Sequence, residues 1–158
     1  MMKQKELNEI LEKHRKWLYG FPGGKKTDLG FADLRELNLS GVDLSFADLS
    51  YADLSFADLS NAILSDANLN GTDLRYTYTQ YIEGQKVISV QVDTSRENNL
   101  ISYWVGLGVW TTGCFQGTLE ELKESIEQTH KDNKFLKDRY YRVIDFILQE
   151  VKYDEVAE

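Results

Sequence analysis

Between Thr27 and Tyr76 the apolar positions recur every five residues, a period that belongs neither to a helix nor to an ordinary strand. Aligned on the repeated leucine, the chain reads TDLGF, ADLRE, LNLSG, VDLSF, ADLSY, ADLSF, ADLSN, AILSD, ANLNG, TDLRY. Leu is central in all ten units, at 29, 34, 39, 44, 49, 54, 59, 64, 69 and 74. Two residues earlier the side chain is small, usually Ala or Thr, with Val42 and the exceptional Leu37. Such self-similarity predicts a solenoid whose units bury their apolar sides only by stacking on neighbours. One large and one small inward residue per unit suggest a narrow coil.

The flanks have ordinary periods. Residues 3–18 place Leu7, Ile10, Leu11, His14 and Leu18 on one helical stripe, and Gly20, Pro22, Gly23 and Gly24 end it. This helix reads as a cap over the coil, with His14 as a partly buried structural residue. After Tyr76 the five-residue period is lost. Strands are expected at 86–92, 100–105 and 109–115, with a turn at Gly106–Gly108. Thr118 and Glu121 form a capping box that opens a helix. A last helix, about 133–151, aligns Leu136, Tyr140, Val143, Ile144, Ile147, Leu148 and Val151. The expected organisation is a capping helix and linker (1–26), a repeat segment (27–76) and a small α+β domain (77–158), mainly β overall with added α.

Charge is unevenly placed. The net value of −8 over 158 residues hides a basic N-terminus and an acidic middle: residues 27–76 carry eight Asp and one Glu against Arg35 and Arg75. That balance makes the repeats a poor direct binder of nucleic acid, and it suits a basic partner or simply a solvated face. Cys114 is the single cysteine, so no intrachain disulfide forms. The charged N-terminus lacks a signal-like apolar run, and the uncharged stretch 98–119 holds four glycines and reads as a hairpin rather than a membrane span. A soluble, cytoplasmic protein is expected.

The units TDLGF to TDLRY resemble the pentapeptide-repeat family, whose motif is a small residue, Asp or Asn, Leu or Phe, a polar residue and a variable one. Ile63 in AILSD is the clear departure. The resemblance implies a right-handed quadrilateral β-helix with four units per turn. Residues twenty apart would then stack: Phe31 on Tyr51, Phe56 on Tyr76, and Asp33, Asp53 and Asp73 in an acidic column. The N-terminal ELNEILEKHRKWL and C-terminal GCFQGTLEEL further resemble pentapeptide-repeat proteins of bacteriophages and prophages. Their tail module corresponds here to Thr94-Ser95-Arg96, Tyr103, Gly113 to Leu119 and His130, with departures at Thr94 and Leu122. The resemblance implies a host-cell setting and carries no established activity.

Three functions compete. Quinolone-resistance proteins of the wider family imitate duplex DNA to bind gyrase. Ten units give only about 12 Å of prism, against roughly 34 Å for one DNA turn, so this reading requires dimerisation. A Cys114/His130 enzyme needs nucleophile and base in contact, yet the helix between them spans about 18 Å; a buried structural Cys114 is the better reading. The favoured function is non-catalytic binding. Arg96, the amides after Gly117 and the Thr118 hydroxyl would hold an anion or nucleotide, or a host protein's acidic tail, beside an aromatic wall of Tyr103, Trp104 and Trp110, with Cys114 and His130 nearby. No metal-ligand spacing appears and no cofactor is implied. Exposed Phe46, Tyr51 and Phe56 and a thinly covered coil end predict a homodimer.

Overall fold

The computed structural model describes residues 1–92 and 100–157. It divides into two compact units, Met1–Lys86 and Val87–Glu158.

In the first unit the repeats form a β-helix-like coil. Parallel bridges join residues twenty apart, from Asp28 with Asp48 through Ile63 with Glu83. The ladder is regular: Leu29 N–H donates to the Asp48 carbonyl at 2.8 Å, and Asp53 N–H donates to the Ala32 carbonyl at 2.9 Å. Corners fall every five residues, each marked by a positive φ, at Phe31, Glu36, Gly41, Phe46, Tyr51, Phe56, Asn61, Asp66, Gly71, Tyr76 and Tyr81. Each twenty-residue turn therefore has four corners. At every corner from Phe31 to Tyr76 a backbone bond closes a four-residue turn, such as Ala32 N–H to the Leu29 carbonyl at 3.1 Å. All ten leucines point inward and are at most 3% exposed. Fully buried, each contributes up to about 1.5–3 kcal/mol.

The coil runs past Tyr76, where the sequence period ends. Tyr78 takes the place of the acid and Thr79 that of the leucine, but Tyr78 N–H still donates to the Ala57 carbonyl and Glu83 N–H to the Ala62 carbonyl. Backbone pairing continues the coil after the side-chain pattern has stopped. Gly84 (φ 77) closes it, with so little room that a Cβ would lie 2.3 Å from the Ser65 nitrogen.

Helix α1 (Gln4–Leu18) caps the first turn of this coil. Leu7 and His14 are fully buried, while Ile10, Leu11 and Leu18 are only half-buried. The first turn has no preceding turn to pair with, so N-terminal residues take its place. Met2 N–H donates to the Asp33 carbonyl, and the Gln4 side chain pairs with the Asn38 backbone. The chain leaves α1 through Gly20 (φ 69) and folds back closely enough that a Cβ on Gly24 would lie 2.4 Å from the Trp17 nitrogen. His14 Nδ1 then accepts the Thr27 N–H at 3.0 Å as the coil begins.

The second unit is an antiparallel four-stranded meander, β1 (Val87–Gln91), β2 (Leu100–Trp104), β3 (Val109–Thr112) and β4 (Phe115–Gly117), followed by α2 (Leu119–Thr129) and α3 (Lys134–Ala157). The single strand expected over 109–115 is instead a hairpin. Thr112 pairs with Phe115, and Gly113 (φ 52) with Cys114 makes the turn. Gly113 permits that left-handed step without steric cost. Val92, Ile101, Trp110, Leu122, Ile126, Ile144 and Ile147 form the core. Two contacts lock α2 to α3. Glu127 accepts from Lys137 Nζ at 3.0 Å and from the Tyr141 hydroxyl at 2.8 Å, and His130 stacks on Tyr140 at 5.1 Å. The Lys137 and Tyr141 hydrogen bonds hold the Glu127 carboxyl below its ordinary range.

Candidate functional site

The repeated aspartates have a backbone partner of their own. Asp43, Asp48, Asp53, Asp58 and Asp73 each accept, through Oδ1, the N–H two residues onward. Asn38 and Asn68 do the same. The side chain thereby satisfies the amide that enters each corner, which is why Asp or Asn recurs there. Ile63 lacks this bond and is tolerated as one corner among many.

The predicted acidic column forms, and it is neutralised along its length. Asp33 bridges Asp53, and Asp53 bridges Asp73. Arg35 grips Asp33 with two hydrogen bonds of 2.8 and 2.7 Å and reaches Asp53 at 3.6 Å, while Arg75 grips Asp73. The N-terminal amine adds a contact to Asp33 at 3.4 Å. Arg35 holds the Asp33 carboxyl far below its usual range. Burial alone would raise Asp73, but the Arg75 hydrogen bonds win and lower it. Arg35 and Arg75, two residues after Asp33 and Asp73, therefore offset the like-charge repulsion that the column would otherwise suffer.

Outside the corners, aromatic rings stack as the twenty-residue spacing predicts. Phe31 lies on Tyr51 at 5.0 Å and 11°, and Phe56 on Tyr76 at 4.4 Å and 10°. The Tyr51 ring also covers Gly71, where a Cβ would come within 2.5 Å of it. Phe46 meets the edge of Trp17. Phe31, Phe46, Tyr51 and Phe56 remain exposed. The coil thus presents stacked aromatic corners between lines of acid.

In the second unit Tyr103, Trp110 and Gly117 are cross-strand partners with Thr118 next in the chain, whereas Cys114 lies at the β3–β4 turn and His130 at the far end of α2. Arg96 lies outside the described residues. Thr118 caps α2 as expected: its hydroxyl accepts the Glu121 N–H at 3.3 Å, and Glu121 Oε2 accepts the Thr118 N–H at 2.8 Å. That box fills the helix start with the protein's own carboxylate. Gly117 is not an open approach, because a Cβ there would lie 2.5 Å from Glu121 Oε2 and 2.9 Å from Phe115 Cζ. An incoming phosphate would face a negative charge. Nor do the aromatics make a wall. Trp104 and Trp110 are buried, and Tyr103 stacks on its cross-strand partner Trp110 at 4.3 Å.

Cys114 is exposed at the hairpin turn, which corrects the expectation of a buried thiol. It falls between two residues with strand propensity, Thr112 and Phe115, but a two-residue turn projects its side chains outward. His130 caps the opposite end of α2 from Thr118, on Tyr140. Eleven residues of helix separate the two ends, about 16 Å. No group of His, Cys, Asp and Glu among the described residues is arranged to hold a metal, and none of the described helices is long and apolar enough to cross a membrane.

The class defined by this geometry is a repeat scaffold, in which the recurring polar groups serve the backbone and the outer surface is left for contact. Comparison with known proteins gives the repeats their particular name. Residues 27–66 and 38–75 match the family model for pentapeptide repeats, with eight copies, over less than half of the chain. Among solved structures, the chain is similar to a pentapeptide repeat protein (Rfr23) from the cyanobacterium Cyanothece 51142, at 40% identity and a TM-score of 0.36. That match covers 37% of this chain and 40% of the other. No curated protein matches.

Proposed function

We propose that this protein is a non-catalytic interaction protein that docks a basic partner protein on its repeat coil. The observation that carries this reading is the pair of stacked aromatic corners, Phe31 on Tyr51 and Phe56 on Tyr76, with Phe31, Tyr51 and Phe56 exposed and Asp48 and Asp58 close to them in the chain. Aromatic anchors beside charge are the usual chemistry of a protein-binding surface. Catalysis lacks support, since the aspartates are engaged at the corners, and Cys114 sits at the β3–β4 turn while His130 caps the C-terminal end of α2. The coil is read as a right-handed quadrilateral β-helix. The phage-like resemblance of both flanks makes a host protein in the host cytoplasm the natural partner.

The test is affinity capture from host cells, followed by titration of the identified partner against wild type and Phe31→Ser/Tyr51→Ser. Loss of about tenfold or more in affinity, with strong salt dependence, supports the reading. Equal affinity for both proteins overturns it.

Gyrase is the comparison target for the DNA-mimic alternative. Bridges from Asp28 to Glu83 span fewer than three turns, about 14 Å of coil. The Asp33–Asp53–Asp73 column is also neutralised by Arg35 and Arg75. A supercoiling assay is expected to show no inhibition, and stoichiometric inhibition would replace the basic-partner reading with this one.

A further inference from the structure

Helix α3 buries only one of its faces. Ile144 and Ile147 enter the core, with Tyr140, Val143 and Leu148 beside them. On the opposite side Phe135, Arg139, Arg142, Phe146, Tyr153 and Val156 follow one another at alternating steps of four and three, with Gln149 completing the series. This is the 3.5-residue spacing of a helix that pairs with another helix. Its apolar members are open: Phe135 is 66% exposed, Phe146 49%, Tyr153 74% and Val156 88%. Alongside the middle of the stripe runs a groove of about 250 Å³, lined by Val90, Arg139, Arg142, Val143 and Phe146. A folded domain gains nothing from presenting such a stripe to water.

Charge along α3 says what covers it. Residues 134–142 carry Lys134, Lys137, Arg139 and Arg142 against Asp138, whereas residues 143–157 carry Asp145, Glu150, Asp154 and Glu155 against Lys152. The helix is therefore basic in its first half and acidic in its second. Two copies laid parallel would set like charge against like. Laid antiparallel, each basic half meets an acidic half, and Phe146, near the middle, falls close to the two-fold axis. The 24-residue helix is about 36 Å long, enough for several layers of contact.

We propose that the occupant of this stripe is a second copy of the chain, bound through an antiparallel α3–α3 contact. Arg139 and Arg142 of each copy face the Gln149–Tyr153 region of the other, where Glu150 supplies opposite charge and Tyr153 an aromatic face. The contact is self-complementary, as a two-fold interface requires. It involves residues of the second unit alone, so it does not rest on the basic-partner reading and fails or stands independently of it.

The experiment measures mass in solution by light scattering and sedimentation, under reducing conditions because Cys114 is exposed. Wild type is expected to dimerise at high micromolar concentration. One variant makes the stripe uniformly acidic (Arg139→Glu with Arg142→Glu), and a second makes it uniformly basic (Gln149→Arg with Glu150→Arg). All four side chains lie on the face turned from the core, so circular dichroism should be unchanged. Each variant alone is expected to weaken dimerisation by about tenfold or more, and mixing the two should restore a dimer. A parallel pair or a dimer formed through the coil would not respond in this way. Monomeric wild type, variants that dimerise as well as wild type, or a mixture that fails to recover would each overturn the proposal.

Discussion

The side-chain amide of Gln4 pairs with the backbone of Asn38 as a neighbouring strand would. Oε1 accepts the Asn38 N–H at 2.8 Å, and Nε2 donates to the Asn38 carbonyl at 2.9 Å. One side chain thus satisfies both groups that the first turn leaves open at that position. Gln4→Leu should cost about 1–2 kcal/mol, because water can replace part of what is lost at this exposed edge. Chemical denaturation compares the variant with Gln4→Glu, which keeps the acceptor and loses the donor, and should fall between it and wild type.

Inside the coil, Leu54 is fully buried. Leu54→Ala is expected to cost about 2–5 kcal/mol, whereas Phe31→Ala, at an exposed corner, should cost about 1 kcal/mol or less. Equal losses in urea unfolding would reject the assignment of inner and outer positions.

Corner conformation gives a third expectation. Asn61 has a φ of 59°, so Asn61→Gly should be neutral or slightly stabilising. Gly84→Ala should be severe, because its Cβ meets backbone at Ser65 that cannot step aside. Gly71→Ala meets the Tyr51 ring and should be milder, since an exposed ring can swing outward. Melting temperatures should fall from Asn61→Gly through Gly71→Ala to Gly84→Ala.

His14 makes stability fall in acid. Burial pushes its pKa below the ordinary 6.5, an effect stronger than the opposing influence of the Ser45 carbonyl and the Asp43 charge, while Lys26 adds to the lowering. Nδ1 accepts from Thr27 and Nε2 has no full hydrogen-bond partner, so the neutral ring is the one that fits. The unfolded chain then binds a proton that the folded chain refuses. Stability is complete above 6.5 and declines as pH drops toward the lowered folded value. His14→Gln retains an acceptor for Thr27 and should flatten that step in unfolding free energy measured against pH.

A thiol reagent provides the last check. Cys114 should react in the native protein without prior unfolding. Protection that disappears only on unfolding would contradict its place at the hairpin turn.

The features easiest to read from sequence were those set by repetition. A leucine every fifth residue announces the coil, and the stacks Phe31–Tyr51 and Phe56–Tyr76 follow from its twenty-residue turn. The capping box at Thr118 was equally legible, because it depends on residues three apart. Its consequence was not. Whether Glu121 fills or leaves open the helix start depends on a side-chain rotamer, and that rotamer sets its carboxylate on the Thr118 amide. The coil's continuation through Tyr78 and Thr79 rests on backbone hydrogen bonds that accept any side chain, so no apolar period could reveal it. The exposure of Cys114 is hidden because a Gly-Cys pair between Thr112 and Phe115 reads equally as strand and as turn. The part played by Gln4 depends on a contact with a residue 34 positions away.

The ladder that joins each residue to the one twenty positions later also sets the size of step in which such a chain can change length. Adding twenty residues inserts one complete layer, about 4.8 Å tall, and leaves every column above and below in line. Adding five still puts each leucine inside, but it turns everything downstream by a quarter. Phe56 would then lose Tyr76, and Arg35 would lose its reach to Asp53. Deletions obey the same arithmetic. Gene duplication in units of one pentad is therefore silent to the core and disruptive to the surface, whereas duplication in units of four preserves both.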